Sequence, residues 1–136
     1  REGLRRRAGR QRDGLAAGLM LLEMLATERV SLNKLVAKLE QEFGPHEYDR
    51  IDTHYPLEKR GDLIEHLKQH PPARLLRSPV VAVKGFDGVK FVAQDGAWLM
   101  LRGSGTEPIL RIYAEAGSLV AARKLLRFGV RLTTAI

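Results

Sequence analysis

The sequence predicts an α+β fold, in which an antiparallel sheet carries helices on one face and is preceded by two helices. Asp-Gly pairs at 87–88 and 95–96 separate short apolar runs, and such pairs are typical of two-residue hairpins. The run at 109–116 alternates between two sets of side chains, as a half-buried strand does. Hairpins connect antiparallel strands, so we expect one antiparallel sheet against which the helices pack.

The sequence at 1–44 predicts two helices. Asp13 is an N-cap candidate for a helix over 14–27, and Ser31 for a second helix that ends before Gly44-Pro45. The first helix is apolar on nearly every side, so it needs neighbours all around it. We therefore expect it to contact a domain outside this sequence, and we divide the chain into a helical end of one domain at 1–44 and a second domain at 45–136.

The sequence at 45–136 predicts both strands and helices. A helix that ends before Pro71-Pro72 follows the first strand, and Ser118 caps the last helix. The expected strands cover 50–55, 80–86, 89–92, 97–102 and 109–116, and the expected helices cover 57–69 and the residues after 118.

Charge and composition exclude several classes of protein. The 136 residues include no cysteine, which excludes a disulfide scaffold and thiolate metal sites and is compatible with a reducing cytoplasm, where we expect the protein to lie. The longest apolar run, 15–22, is too short for a bilayer, so we expect no membrane partner.

The net charge of +7 is concentrated in the first twelve residues, which hold six arginines and one glutamate. Such a cluster can bind phosphate backbones. It has no aromatic side chain to stack on bases, so we favour a solvated terminus. Polyanion or nucleic-acid binding through this cluster stays open as an alternative, and so does a non-catalytic interaction module that docks through the apolar helix.

The loop between the last two strands, RGSGTEP at 102–108, carries the chemistry. Gly103 and Gly105 allow the backbone to take positive φ angles and to approach a ligand closely. Ser104 and Thr106 place hydroxyl donors beside main-chain N–H groups, which in such a turn form a concave site for an anion.

Two cations flank this loop. Alternation along the two strands puts Leu101 and Ile112 on the core face, and it puts Arg102 and Arg111 on the opposite face. Two guanidiniums beside a row of N–H groups predict a site for a dianion such as a phosphomonoester. A plain flexible hairpin loop is the alternative that composition alone leaves open.

The segment RGSGTEPILRIYAE, starting at Arg102, resembles the C-terminal phosphate-binding loop of the α-D-phosphohexomutase superfamily. The resemblance continues upstream through KGFDGVKFVAQDGAWLML, which is similar to bacterial phosphoglucomutase/phosphomannomutase sequences. It reaches back to RDGLAAGLMLLEMLA at 12–26, which is similar to the helix that closes the third domain of these enzymes. Gly103 stands where many relatives have proline, which makes the loop less rigid.

The resemblance implies a C-terminal fragment of a four-domain isomerase of carbohydrate metabolism. The phosphoserine, the magnesium-binding DGDxDR loop and the sugar-binding GExSG loop of such enzymes are not visible in this sequence. We therefore expect no catalytic residue and no metal ligand here, magnesium bound elsewhere in the parent enzyme, and an inactive fragment. The expected partners are a phosphosugar and the missing upstream domains.

By resemblance, the last domain has a TATA-binding-protein-like fold and holds the phosphate that is not being transferred. The resemblance implies that the phosphoserine donates its phosphoryl group to the opposite hydroxyl of the sugar. The bisphosphorylated intermediate then reorients and gives a phosphate back to the enzyme, so that hexose 1-phosphate and 6-phosphate interconvert. Glu107 is expected to fix the loop, because a carboxylate repels phosphate. The candidate phosphate contacts are Arg102, Gly103, Ser104, Gly105, Thr106 and Arg111.

Overall fold

The computed structural model describes residues 13–134, which form two compact units divided between Phe43 and Gly44. The division lies beside the Gly44-Pro45 pair. That the first unit is the end of a separate third domain stays a prediction. The arginine cluster at 1–12, on which the polyanion alternative depends, lies outside the described residues.

The first unit consists of helices α1 (Gly14–Glu28) and α2 (Leu32–Phe43). The Asp13 carboxylate accepts a hydrogen bond from the Ala16 N–H at 3.0 Å, so Asp13 is the N-cap that the sequence predicted. Arg29 ends α1 in the left-handed region. No residue of either helix is buried, and most of the large apolar side chains of α1 lie exposed.

The second unit is built on a six-stranded antiparallel sheet in the order β1-β6-β5-β4-β3-β2. Helix α3 (Arg60–Gln69) follows the first strand, and helix α4 (Leu119–Thr134) follows the last. This arrangement confirms the predicted α+β class. The strands are β1 (Glu47–His54), β2 (Arg74–Leu75), β3 (Ser78–Lys84), β4 (Val89–Ala93), β5 (Trp98–Gly103) and β6 (Ile109–Ala116).

Both Asp-Gly pairs form the hairpin turns that the sequence predicted. At the first of them, Asp87 and Gly88 both have positive φ, 54° and 128°. A Cβ on Gly88 would also collide with the carbonyl oxygen of Leu101. Only glycine satisfies both constraints, so the turn between β3 and β4 is specified locally.

The core lies between one face of the sheet and helices α3 and α4. Along β6 every second residue is buried, so the predicted alternation is confirmed. Gly129 of α4 packs so closely on the sheet that an added Cβ would lie 2.6 Å from Cγ2 of Ile112. The largest fully buried side chains are Phe91, Leu63, Leu75, Leu99, Leu101, Leu110, Ile112, Leu125, Leu126 and Val89.

Several element boundaries differ from the sequence prediction; strand β3, for example, covers Ser78–Lys84 and not 80–86. Strand β1 begins at Glu47, because all eight of its residues pair with β6 although most of them are exposed. Helix α3 begins at Arg60, since residues 57–59 form a turn. The short strand β2 was not predicted, because two residues show no periodicity. In residues 13–134, no helix is both long and apolar enough to cross a membrane.

Candidate functional site

The candidate loop, residues 104–108, joins β5 to β6 and is pinned at both ends. The Ser104 N–H donates to the Ile109 carbonyl at 2.9 Å, which closes the end of the hairpin. The Tyr55 N–H donates to the Pro108 carbonyl, also at 2.9 Å. The second bond ties the loop to the end of β1, so the loop is anchored to two neighbouring strands.

Arg102 and Arg111 are directly opposite each other in the β5–β6 register. Both lie on the face away from the core, as the alternation predicted. Like charges directly opposite each other in a sheet are destabilising. The pair therefore needs negative charge close by, and carboxylates of this chain provide it in the absence of a ligand.

Each guanidinium has a carboxylate partner. Arg102 Nε lies 2.9 Å from a carboxylate oxygen of Asp87 in the β3–β4 turn. Arg111 Nη2 lies 3.5 Å from Glu107, and its Nε lies 3.9 Å from Asp52 of β1. These pairs keep both cations on the open face, next to the loop.

Arg111 retains unused hydrogen-bonding capacity. Its Nε is buried and donates to no acceptor within the described chain, since the 3.9 Å separation from Asp52 exceeds hydrogen-bond distance. A buried donor without an acceptor costs about 1–3 kcal/mol. An anion that reached this nitrogen would recover that energy.

The two hydroxyls of the loop differ in environment. The Ser104 side chain is nearly buried, and its hydroxyl donates to the Glu107 carboxylate over a long distance of 3.4 Å. Thr106 is exposed. Because Glu107 contacts both Ser104 and Arg111, it holds the loop against β6.

Gly103 and Gly105 do not use the positive φ angles that glycine allows, because neither lies in the left-handed region. At Gly103 the requirement is space: a Cβ would lie 3.0 Å from Cδ of Arg60. Around Gly105, no atom lies close enough to meet an added Cβ. The loop thus turns through ordinary backbone conformations, and the absent side chain at Gly103 leaves room for an arginine.

The N–H groups of three consecutive residues, Gly105, Thr106 and Glu107, donate to no acceptor within residues 13–134. Consecutive free N–H groups beside cations are the ingredients of a main-chain anion site. The site therefore combines neutral donors from the loop with two guanidiniums from the strands.

Sequence reasoning missed Arg60, which the structure places against the loop. Its Nη1 donates to the carbonyl of Ser104 and, at 3.3 Å, to that of Glu107. An arginine at the start of a helix more than forty positions before the loop carries no local signal for such a contact. Beside it, an open cleft of about 460 Å³ lies between α3, the β3–β4 turn and the loop, lined in part by Arg60, Lys68, Asp87 and Gly103.

The described residues offer no group of three or more His, Cys, Asp or Glu side chains placed to hold a metal ion. The carboxylates nearest the loop are instead engaged with guanidiniums. Residues 13–134 therefore do not fit a magnesium site.

Residues 63–128, from α3 into α4, match the family model described as Phosphoglucomutase/phosphomannomutase, C-terminal domain. The chain contains a C-terminal domain of this family. The matched segment includes the whole loop and both of its arginine-bearing strands. The resemblance that the sequence motif indicated is thereby confirmed.

Curated relatives agree with this assignment. The chain is 34% identical over 110 residues to a phosphoglucosamine/phosphogalactosamine mutase of Sulfurisphaera tokodaii. The aligned region covers 77% of this chain and 21% of that protein. It is 50% identical over 46 residues to a phosphoglucomutase/phosphomannomutase of Thermococcus kodakarensis, covering 34% of this chain and 10% of that protein. A phosphoglucosamine mutase of Methanococcus aeolicus is 29% identical over 126 residues, covering 88% of this chain and 25% of that protein. The chain thus spans at most about a quarter of the length of these relatives.

Proposed function

We propose that the second unit binds the phosphate of a hexose phosphate within a phosphohexomutase that interconverts the 1-phosphate and the 6-phosphate. The observation that carries the proposal is the cross-strand pair Arg102 and Arg111, which lies beside three free N–H groups of the loop. In this proposal the phosphate held here is the one that is not being transferred. A phosphoserine elsewhere exchanges phosphate with the opposite end of the sugar, through a bisphosphorylated intermediate.

Charge supports a dianion as the ligand. Two guanidiniums face each other, and a phosphomonoester carries close to two negative charges at neutral pH. Charge-assisted hydrogen bonds contribute about 1.5–3 kcal/mol each. On binding, the phosphate oxygens would compete with Asp87 and Glu107 for the guanidiniums, so the carboxylates hold the cations in place before the ligand arrives.

The relatives support hexose phosphates as the substrate class. Their names specify glucosamine, galactosamine, glucose and mannose phosphates. What these substrates share is the phosphate and a six-carbon sugar. A loop of backbone N–H groups and arginines recognises the phosphate, and so it fits all of them equally.

The remaining machinery is proposed to lie in the rest of a longer polypeptide. This includes the phosphoserine and a magnesium ion, since residues 13–134 do not fit a magnesium site. The exposed apolar side chains of α1 support a further domain of the same enzyme as the partner of the first unit. We accordingly expect this chain alone to show no magnesium-dependent conversion of glucose 1-phosphate.

The test is a calorimetric titration of the full chain with glucose 6-phosphate. The open, water-exposed site predicts a millimolar dissociation constant, about −4 kcal/mol. Arg102→Ala should weaken binding at least about tenfold, and Arg102→Lys should restore it only in part, because lysine lacks the planar fork. Arg77→Ala removes an exposed arginine from the β2–β3 turn as the matched control, and equal losses in the Arg77 and Arg102 variants would contradict the proposal.

A further inference from the structure

We infer that Arg60 is a positioning residue, which orients the loop so that the Gly105 N–H points toward the bound anion. The inference rests on the proposed function for the identity of the anion. It also makes a claim about the free protein, namely that one guanidinium sets the direction of a loop peptide.

The contacts show how a single side chain holds the whole loop. Arg60 Nη1 donates to the Ser104 carbonyl, where the loop begins, and to the Glu107 carbonyl, near its end. These two acceptors lie on either side of Gly105 and Thr106. A charged donor shared by both ends fixes the width of the turn, since charge-assisted hydrogen bonds are stronger than neutral ones.

The direction of the Gly105 N–H follows from peptide geometry. The Ser104 carbonyl and the Gly105 N–H belong to one planar trans peptide, so they point in opposite directions. Because the carbonyl points at Arg60, the N–H must point away from Arg60. That N–H has no acceptor in the described chain. Arg60 thereby keeps its own charge on the carbonyl side and presents a free donor on the other side.

Gly103 makes this arrangement possible. A Cβ at this position would lie 3.0 Å from Cδ and 3.1 Å from Nη1 of Arg60, tighter than ordinary van der Waals contact. Its backbone lies outside the left-handed region, so conformation alone does not require glycine there. The glycine and Arg60 form a matched pair, in which the missing side chain gives the guanidinium its place.

Three variants of the full chain separate positioning from simple charge. Arg60→Met keeps much of the stem and removes the donor. Arg60→Lys keeps the charge on a side chain one atom shorter, which cannot reach both carbonyls. Lys59→Met is the matched control: it removes a cation from the adjacent exposed residue, whose side chain makes no cap hydrogen bond.

The first measurement uses amide-resolved NMR without any phosphate. We expect Arg60→Met and Arg60→Lys to move the Gly105 and Thr106 amide signals and to speed exchange of the Gly105 N–H, while Lys59→Met leaves them in place. Gly103→Ala should move the same signals with Arg60 still present, because the new Cβ displaces the guanidinium. Unmoved amides of core residues such as Leu110 verify that each variant is folded.

The second measurement is titration with inorganic phosphate. Arg60→Met should weaken binding about tenfold, which is about 1.4 kcal/mol, and Arg60→Lys should weaken it to a smaller extent. Lys59→Met should change it less than about twofold, because exposed charges at a distance are screened. An Arg60→Met chain with wild-type affinity and an unmoved Gly105 amide would overturn the inference, as would equal losses in the Arg60 and Lys59 variants.

The two proposals fail differently. If phosphate leaves the wild-type loop amides unmoved, the proposed function is overturned. Movement of the Gly105 amide in the ligand-free Arg60 variants would still support positioning by Arg60.

Discussion

Both units contain many leucines, yet they bury them very differently. In the second unit Leu99, Leu101 and Leu110 are completely inaccessible, sandwiched between the sheet and two helices. In the first unit no helical residue is buried, and Leu22 is 62% exposed. The second unit thus has a core of its own, whereas most of the large apolar side chains of the first lie exposed.

The difference matters for function because a phosphate loop needs a rigid support. The loop of the second unit is anchored to β1, β6 and α3, all of which belong to that unit. The comparison predicts that substitutions in the two units have separate consequences for stability and binding.

The largest expected effect comes from truncating one leucine in each unit. Leu110→Ala removes a fully buried side chain of β6 and should cost about 2–5 kcal/mol of unfolding free energy. Leu22→Ala should change it by less than about 0.5 kcal/mol, because the side chain is exposed and alanine is a good helix former. Urea unfolding is followed by fluorescence of Trp98, the single tryptophan, which reports on the second unit, and by circular dichroism, which also reports on the helices of the first. Similar losses in the two variants would remove the distinction between the units.

A smaller effect separates two helical glycines. A Cβ at Gly129 of α4 would lie 2.6 Å from Ile112 and 3.1 Å from Leu99, and overpacking of this kind costs about 1–3 kcal/mol. The higher helix propensity of alanine stabilises the helix by at most about 1 kcal/mol. Gly129→Ala should therefore lower the midpoint temperature of thermal unfolding.

Gly18 of α1 is the matched control, because nothing lies within 4 Å of a Cβ placed there. Only the propensity gain applies, so Gly18→Ala should stabilise α1. Circular dichroism melting of both variants tests the pair. If Gly129→Ala raised the midpoint as much as Gly18→Ala, the close packing of α4 on the sheet would be wrong.

The smallest effect is a pH dependence confined to the second unit. A hydrogen bond from the Arg50 N–H, and a second from the Arg123 side chain at 3.2 Å, lower the pKa of Asp49 below its ordinary value. A lowered carboxyl pKa stabilises the fold above the unfolded-state value near 4 and loses that contribution as pH falls through the folded-state value. The Asp49–Arg123 pair joins β1 to α4, so its loss should affect the sheet unit.

The corresponding experiment compares wild type with Asp49→Asn in urea between pH 6 and pH 2.5, again through Trp98. The wild type should be slightly more stable at pH 6, and the difference should vanish at the acid end. A difference that stays constant across this range would contradict an ionic origin.

Local patterns made much of the fold predictable. The Asp-Gly turns and the alternation along β6 are encoded within a few residues, so strand pairing and the side of Arg102 and Arg111 followed from them. The loop itself was recognisable as a motif. The two-residue strand β2 carries no periodicity, and it was missed.

Contacts between distant segments were not predictable. Arg60 meets the loop across 44 positions, and Asp87 reaches Arg102 only because the β3–β4 turn lies beside β5. The role of Gly103 was open for the same reason: a glycine is compatible with positive φ or with the close approach of another group, and only the position of Arg60 decides between them.

Amide-resolved NMR titration of the full chain with inorganic phosphate shows directly which region of the molecule binds the anion. We expect salt-sensitive shifts at residues 102–107 with a millimolar dissociation constant, and the largest shifts at the free N–H groups of Gly105, Thr106 and Glu107. Shifts confined to the arginine cluster at 1–12, with residues 102–107 unmoved, would contradict it.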